Sequence, residues 1–400
     1  MSNYNSQLQS NNIDLQTVLQ TLQTKAAGGG NSENEAAIIM GTVSNCTNSQ
    51  VTSIKQYTFN FCRSLITADF PACTTIGNSA FYHCDSLITA DFPACTTIGN
   101  SAFDECFSLT TANFPAATSI GLYAFQYCHS LITADFPACT TIENSAFGYC
   151  SSLTTANFPA CTTIGAKAFN FCRSLTTANF PAATIIQDDA FGHCHSLTTV
   201  SFPACTTIGT YAFANCSSLT TANFPACTTI GANAFDNCDS LTTVSFPACT
   251  TIRAKAFDNC DSLISVFLAK QAVAALSNSN AFSNTKMSTT GWFYVPSSLI
   301  ANYKTATNWT YYSSRFSAIE NSPAWNGVYG EVNSDSEGVI KFMIDGEPFQ
   351  ALKDMTWSEW CNSDYNHSGI DSYILQYICS SDGLPVLESD IIIPGESYYT

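Results

Sequence analysis

The sequence predicts an α/β solenoid, a fold in which short coils of chain stack in register along one axis. Its apolar positions repeat every 22 residues without a gap through most of the chain. A copy of this length is too short to bury a core of its own, so its neighbours must cover it. Within each copy a strand pattern is followed by a helix pattern. The period is clearest in the leucines Leu65, Leu87, Leu109, Leu131, Leu153, Leu175, Leu197, Leu219, Leu241 and Leu263.

The first half of a copy has the alternation of a β-strand. In the copy at 65–86, the segment TADF alternates polar and apolar residues. This predicts that Ala68 and Phe70 point into the core, whereas Thr67 and Asp69 face outward. Pro71 then ends the strand, because proline has no N–H to donate to a ladder. Stacking of the copies therefore predicts a parallel β-sheet along one side of the solenoid.

The second half of a copy has the spacing of a short helix. Between Ile76 and Cys84, apolar residues stand at offsets 0, 4, 5 and 8. One or two helical turns bring these offsets to a single face. We therefore expect short helical turns on the side of the coil opposite the sheet.

The pattern IG-x-x-AF-x-x-C-x-x-L, with a proline after the strand, resembles the BspA-type leucine-rich repeat. The resemblance covers roughly residues 43–320, although the family's usual repeat is a residue longer and its second strand leucine is mostly alanine here. It implies a leucine-rich repeat solenoid over 43–268, a C-terminal cap over 269–320, and a role in adhesion. In the copy at 65–86, the matching residues are Ile76, Gly77, Ala80, Phe81, Cys84 and Leu87.

The segment 291–320 resembles the strand and helix that close arrays of this family. Its large apolar residues follow the point where the 22-residue period breaks. Terminal repeats of a solenoid must cover the core that their last neighbour leaves exposed. The residues expected to do so are Trp292, Val295, Leu299, Tyr303 and Trp309.

Residues 1–26 are predicted to form a helix or a short coiled coil, since Leu8, Leu15 and Leu22 stand seven apart. Three heptads are marginal alone, and Asn12 occupies an inner position. A frayed helix and a small oligomerising or docking peptide therefore both stay open, and the oligomerising peptide would make a homo-oligomer. Residues 27–42, rich in glycine and polar residues, are predicted to be a flexible linker.

Residues 325–400 are predicted to form a small acidic α+β domain, with 13 Asp and Glu against Lys341 and Lys353. Alternating runs on either side of Asp345-Gly346 predict a hairpin. The segment MTWSEWCNS, from Met355, predicts a short amphipathic helix, and DIIIPGESYY predicts a further strand. This unit resembles C-terminal segments of uncharacterised bacterial and prophage proteins, which implies no activity.

Twenty cysteines raise the question of a disulfide or metal framework. Most of them occupy two positions of the repeat, those of Cys73 and Cys84. At the first position Ala117 and Ala183 replace cysteine in two copies, which favours a small buried filler over a cross-link. Scattered disulfides stay open because stacked coils lie about 4.8 Å apart. Metal binding is disfavoured because no CxxC pair occurs.

Charge and motifs argue against several functions. A formal net charge of −17 with 13 Lys and Arg disfavours nucleic-acid binding. No apolar run predicts membrane insertion, and the first residues show no basic and apolar secretory signal. No phosphate loop, nucleophile elbow or zinc motif occurs, so we predict no catalysis, cofactor or metal. The histidines His83, His129, His193, His195 and His367 fit surface variation rather than a metal pair.

The outward residues of the predicted sheet form two columns, one of threonines and one of Asp, Asn and Ser. Such a ribbon fits either a soluble outer face, since threonine favours strands, or an extended recognition surface. Its uniformity favours a repetitive ligand over a protein epitope with varied anchors. The candidate ligand-binding residues are Thr67, Asp69, Thr89, Asp91, Thr111, Asn113, Thr133, Asp135, Thr155, Asn157, Thr177, Asn179, Thr199, Ser201, Thr221, Asn223, Thr243 and Ser245.

Three functions fit these features, and all bind rather than catalyse. We favour a virion- or prophage-associated adhesion protein, located on a virion or outside the cell. The first alternative is a bacterial cell-surface adhesin that binds a protein or glycan on a host or microbial surface. The second is an intracellular interaction scaffold, which buried thiols would suit.

Overall fold

The structure, a computed structural model, describes residues 44–270 and 272–322 and four short strands beyond them. The predicted helix at 1–26 and linker at 27–42 lie outside the described residues, as does most of the predicted domain at 325–400. These three assignments stay predictions. The four short strands are Phe342–Ile344, Glu347–Phe349, Met355–Thr356 and Ile392–Ile393.

Each coil contributes a three-residue strand to one side of the solenoid, which we call the strand face. Neighbouring strands are parallel and in register, so that Thr67 pairs with Thr89 and Asp69 with Asp91. The predicted parallel sheet is confirmed. The strands are Asn45–Thr47, Thr67–Asp69, Thr89–Asp91, Thr111–Asn113, Thr133–Asp135, Thr155–Asn157, Thr177–Asn179, Thr199–Ser201, Thr221–Asn223, Thr243–Ser245 and Ser265–Phe267, followed by the longer Trp292–Val295 and then Phe316–Ala318.

A second parallel sheet, which we call the spine, runs through all the coils as one 11-stranded ladder. Each of its strands has two residues, of which the second points into the core. The spine strands are Ser53–Ile54, Thr75–Ile76, Thr97–Ile98, Ser119–Ile120, Thr141–Ile142, Thr163–Ile164, Ile185–Ile186, Thr207–Ile208, Thr229–Ile230, Thr251–Ile252 and Ala275–Leu276.

The predicted helical turns are mostly replaced: the segment after each spine strand but the last is a run of tight turns, and a 3-10 helix, Ser279–Phe282, follows the last one. In the coil at 65–86, Ser79 and His83 have φ values of 51° and 57°. Left-handed residues four apart end any right-handed helix. The backbone instead bonds to the next coil, where Phe81 N–H donates to the carbonyl of Ala102 at 2.7 Å. Bonds between coils thus replace the bonds within a helix.

Two columns of phenylalanine fill the core between the sheets. Phe81 stacks on Phe103 of the next coil, with ring centroids 4.9 Å apart and planes 4° from parallel. Phe92, from the strand face, meets Phe81 edge to face at 5.7 Å. Burying one such side chain stabilises a fold by about 1.5–3 kcal/mol. Because the rings also touch across coils, each copy depends on its neighbours, as the short period predicts.

The solenoid ends in larger aromatic residues. Tyr303 lies on the one α-helix of the described residues, Ile300–Thr305, and is buried together with Trp309. The Trp309 indole N–H donates to the carbonyl of Ala274 at 2.7 Å. Trp292 is exposed rather than covering the core, and the Arg315 guanidinium lies over its ring. Short 3-10 helices join these elements at Ser279–Phe282, Lys286–Ser288, Ser297–Leu299, Trp309–Tyr312 and Ile319–Asn321.

The short strands beyond residue 322 bear on two expectations. Phe342–Ile344 pairs antiparallel with Glu347–Phe349, which confirms the hairpin predicted around residues 345–346. Met355–Thr356 is a strand that pairs with Ile392–Ile393, so the helix predicted in this segment does not begin after Asp354, and the rest of it lies outside the described residues. A β-branched threonine opposite isoleucine suits a strand pair. The domain boundaries predicted from the sequence stay predictions.

Candidate recognition face

The candidate residues predicted from the sequence lie at the first and third positions of the strands on the strand face. Parallel register places the threonines in one column and the Asp, Asn and Ser residues in another. Most are exposed or half-buried, as predicted. Asn223 and Ser245 are buried instead. Ser245 lies beside the large ring of Phe267 in the next strand, which stacks on Tyr294.

The threonines of a coil differ in their hydrogen bonding. A threonine just before a strand bonds the backbone of the preceding coil, as when Thr96 Oγ1 donates to the carbonyl of Thr74 at 3.2 Å and Thr110 Oγ1 to that of Ile88 at 3.2 Å. Threonines that begin the spine strands, such as Thr97, have no side-chain hydrogen bond within the described protein. Along the strand face, the hydroxyls of the column that contains Thr89 and Thr111 have no hydrogen-bond partner within the described protein. These hydroxyls are therefore free to bond a ligand.

The neighbouring polar column bonds to itself within short segments. Asn113 Nδ2 donates to Asp91 Oδ1 at 2.7 Å. Further along, Asn157 Nδ2 donates to Asp135 Oδ1 at 2.7 Å, and Asn179 Nδ2 donates to Asn157 Oδ1 at 2.7 Å. Each of these bonds joins two residues of the same segment, and none crosses from Asn113 to Asp135 or from Asn179 to Ser201.

The strand face is interrupted twice, although the spine is not. The first seam separates strand Thr111–Asn113 from Thr133–Asp135, and the second separates Thr177–Asn179 from Thr199–Ser201. The two seams divide the strand face into sheets of four, three and six strands.

The missing hydrogen bonds define the seams. In a paired coil, Phe92 N–H donates to the carbonyl of Asn113 at 3.0 Å. The equivalent bond, from Phe114 to Asp135 across the first seam, is absent from this fully described stretch, and so is the one from Phe180 across the second.

Burial and core spacing agree with the hydrogen bonds. The central alanines of the strands before the seams, Ala112 and Ala178, are half-buried, whereas Ala90 and Ala156 are fully buried. The ring centroids of Phe114 and Phe136 lie 6.0 Å apart across the first seam. Those of Phe180 and Phe202 lie 6.0 Å apart across the second. The spine stays paired, since Ser119 and Ile185 keep their neighbours in register.

The first seam contains a cavity of about 410 Å³. Its walls carry threonine hydroxyls, one amide, two carboxylates and two proline rings. This combination offers hydrogen-bond donors, acceptors and a small apolar surface in one place. The lining residues are Thr89, Asp91, Thr111, Ala112, Asn113, Pro115, Asp135 and Pro137.

One feature of the sequence coincides with the seams, although the repeat pattern alone does not relate it to strand pairing. The two coils that precede them are the two in which alanine, at Ala117 and Ala183, replaces the cysteine of the other copies. In those other copies the thiol is buried beneath the strand and donates to a nearby carbonyl, as from Cys95 to Thr97 at 3.3 Å. Each seam therefore coincides with a smaller core residue.

The cysteines of the described chain are buried free thiols, as the filler interpretation predicts. Burial raises the pKa of Cys95 and Cys205 to about 12. A second column, which includes Cys84, bonds the preceding coil through its sulfur. The described residues contain no disulfide and no group of three or more His, Cys, Asp or Glu placed to hold a metal ion.

A cluster of charged residues lies on the turn side, away from the strand face. His83 contacts Glu105 at 2.6 Å through Nε2 and Asp85 at 3.2 Å through Nδ1. Arg63 pairs with Asp85 at 3.2 Å, and Tyr82 donates to Glu105 at 3.3 Å. These residues come from three successive coils, so residues about 22 apart in sequence contact each other. The pattern within a single copy does not show such contacts.

A second cavity, of about 390 Å³, also opens on the turn side. Tyr127, Tyr149, Phe171 and His193 stack along one of its walls, with centroids 4.1 to 4.8 Å apart. Because the rings face each other, only their edges are available to a ligand. Within the residues that the structure covers, no helix is long and apolar enough to cross a membrane.

These features define a class of protein, a stacked-coil solenoid that presents one long polar surface. The chain belongs to the BspA-type leucine-rich repeat family. A family model described as a BspA type leucine-rich repeat region matches it in six copies, over residues 42–154, 74–198 and 184–306. Proteins of this form are suited to protein binding or adhesion.

Several solved structures are similar to this chain. A leucine-rich repeat protein from Bacteroides ovatus is 22% identical, with a TM-score of 0.32, over 63% of this chain and 84% of that one. A leucine rich cell surface protein from Faecalibacterium prausnitzii is 23% identical, with a TM-score of 0.31, over 60% and 89%. The T. pallidum leucine-rich repeat protein is 25% identical, with a TM-score of 0.33, over 34% and 72%. A search of curated proteins found no match.

Proposed function

We propose that this protein is a non-enzymatic recognition or adhesion protein that binds a protein or glycan through its strand face. One observation carries the proposal: a column of threonine hydroxyls, in register over successive strands, has no hydrogen-bond partner within the described protein. The parallel column of amides and carboxylates adds acceptors beside it. A regular, solvated polar ribbon matches a ligand on a surface better than it matches a reacting substrate.

The proposed location is outside the cell of synthesis, on a virion or a cell surface. A purely intracellular scaffold is the remaining alternative. Quantitative proteomics of purified virus-like particles, washed cells and cytosol from the source culture separates the three. We expect enrichment in particles or on washed cells, and enrichment in cytosol alone contradicts the proposed location.

Binding through the strand face is tested with two charge-adding variants of the full chain. The double variant Thr133→Arg/Thr177→Arg puts long cations on the exposed face. The matched control is Glu143→Arg, at an exposed repeat position where the chain already carries Arg253. We expect sedimentation of the protein with bacterial cells to fall at least tenfold for the double variant and to stay unchanged for the control. Equal sedimentation of all three proteins contradicts the strand face as the binding surface.

A further inference from the structure

We infer that the two seams are the ligand subsites of the strand face and that their ligand is an uncharged polysaccharide chain. This inference rests on the proposed function and names the part of the face that acts and the class of ligand. It follows from where the face has unused hydrogen-bonding groups.

Within a segment, the backbone of the strand face and part of its polar column are already bonded, although the threonine hydroxyls are not. Backbone groups of neighbouring strands bond each other, and Asn157 donates to Asp135 and accepts from Asn179. A ligand there must compete with bonds that are already made, so it gains little. The middle of each segment is therefore a poor subsite.

At the first seam the same groups have no partner across the gap. The N–H of Phe114 and the carbonyl of Asp135 lack the bond that equivalent residues make elsewhere in the described solenoid. The side-chain ladder also stops there, since Asn113 bonds backward to Asp91 and not forward to Asp135. Donors and acceptors thus meet at one place, beside a cavity of about 410 Å³.

Exposure follows the same pattern. In the first two segments, the exposed candidate residues of the strand face stand beside the seams and the others are half-buried, whereas in the third segment Thr221 is exposed away from a seam and Ser201 is half-buried beside one. The exposed residues beside the seams are Thr111, Asn113, Thr133, Asp135, Thr177, Asn179 and Thr199, and the half-buried ones include Thr89, Asp91, Thr155 and Asn157.

The two seams are three coils apart, which is about 14 Å at the usual strand spacing. Both are preceded by a copy with alanine in place of cysteine and with CHS before the next leucine. Two similar subsites on one face suit one long chain that has the same chemistry along its length. A linear polymer therefore fits better than a compact ligand.

The groups at the seams select the polymer. The hydroxyls of a sugar both donate and accept hydrogen bonds, so they can pair with the N–H, carbonyl, amide and carboxylate groups at the seams. Asp91 and Asp135, on a chain of net charge −17, disfavour a polyanion. The face carries Thr, Asn, Asp and Ser where a protein-binding surface has Trp, Tyr or Arg anchors. An uncharged polysaccharide satisfies all three conditions.

The test is a glycan array of neutral, amine-bearing and acidic glycans, probed with the full chain and matched variants. Asn113→Ala/Asn179→Ala removes the amides beside the seams, and Asn157→Ala removes the same group within a segment. We expect wild-type protein to bind neutral glycans, the seam variant to lose at least tenfold in affinity, and Asn157→Ala to lose less than twofold. Circular dichroism of each variant checks that the solenoid is intact.

The other outcomes contradict the inference. They also show, separately, whether the proposed function still holds. Binding to acidic glycans alone contradicts the uncharged ligand, and equal losses in the two amide variants contradict the seams. If no glycan binds but Thr133→Arg/Thr177→Arg still abolishes binding to cells, the ligand is a protein and the strand face keeps its function. If wild-type protein binds neither cells nor glycans, the proposed function fails as well.

Discussion

The thiol of Cys84 donates a hydrogen bond to the backbone carbonyl of Phe59, in the preceding coil, at 3.0 Å. Cys150 makes the same bond to Phe125 at 3.1 Å, and the relation recurs along the column. Each of these cysteines therefore fills space in the core and also links two coils. Cysteines of the other column, such as Cys161, bond a carbonyl of their own coil instead.

Native thiols are expected to resist modification. Burial raises the pKa of Cys139 and Cys205 to about 12, so they stay neutral and unreactive at pH 8. Titration with a thiol reagent should label at most Cys361 and Cys379 in native protein, since all the other cysteines are buried. In denaturant without reductant, all 20 should react. A large shortfall in denaturant would reveal disulfides and contradict the buried-thiol interpretation.

The two cysteine columns should differ in their contribution to stability. Cys150→Ala removes a fully buried sulfur and a bond between coils, so we expect it to lower the free energy of unfolding by about 1–2 kcal/mol. Cys161→Ala puts in the residue that two other copies already carry and should cost about half as much. Urea unfolding followed by circular dichroism measures both, and a larger loss for Cys161→Ala would contradict the assignment.

Asp104 should make the protein less stable as pH rises. Burial and the nearby Glu105 raise the pKa of its carboxyl to about 7, and its Oδ1 has no partner among the described residues. Because the folded pKa lies above the unfolded one, the carboxyl favours folding at low pH, and this contribution is lost as pH rises through about 7. Between pH 5 and 8 the loss is at most about 2–3 kcal/mol, and solvent screening of the carboxyl makes it smaller.

The variant Asp104→Asn isolates this effect. It should gain stability relative to wild type at both values and more at pH 8 than at pH 5, as measured by urea unfolding. Asp236→Asn is the control, since Asp236 occupies the same repeat position but its oxygens accept bonds from Asn233 and Asn259. A gain for Asp104→Asn that is the same at both pH values would show that its carboxyl does not titrate in this range.

Backbone amides beside the seams should exchange faster than their equivalents. Phe114 and Phe180 lack the bond across the strand face that Phe136 and Phe158 make at 3.0 Å. Unbonded amides lose protection, so we expect at least tenfold faster hydrogen exchange at Phe114 and Phe180. Equal protection at all four amides would show that the seams close in solution.

The smaller core residue is the expected cause of a seam. Ala117→Cys restores the residue of the other copies and should raise the protection of the Phe114 amide, whereas Cys161→Ala should lower that of Phe158. The reciprocal pair controls for general changes in stability. Unchanged protection in both variants would separate the seams from this core position.

Much of the fold was predictable because the 22-residue period is visible in the sequence. The alternation around Ala68 predicted the strand and its outward Thr67 and Asp69. The helical expectation failed because the spacing between Ile76 and Cys84 also fits tight turns with left-handed residues. Spacing alone does not distinguish hydrogen bonds within a coil from bonds between coils.

The sequence predicted which residues point outward from the strands of the candidate face. It did not predict which of them are exposed to solvent. Strand alternation placed Thr133 and Asp135 outside, and both are exposed. It also placed Asn223 and Ser245 outside, yet they are buried, with Ser245 beside the ring of Phe267 in the next strand. Phe267 keeps the 22-residue register but is a large ring where the copies from Asp69 to Ser245 have Asp, Asn or Ser.

The sequence by itself determined the solenoid, the register of its coils and the small buried character of its cysteines, because each is repeated with the same period. Only the tertiary structure decided which strands stay paired. Pairing depends on how each coil rests on the next, and a difference of one sulfur atom at Ala117 or Ala183 has no consequence visible within a single copy. The seams, and with them the unused hydrogen-bonding groups of the strand face, arise from contacts between copies.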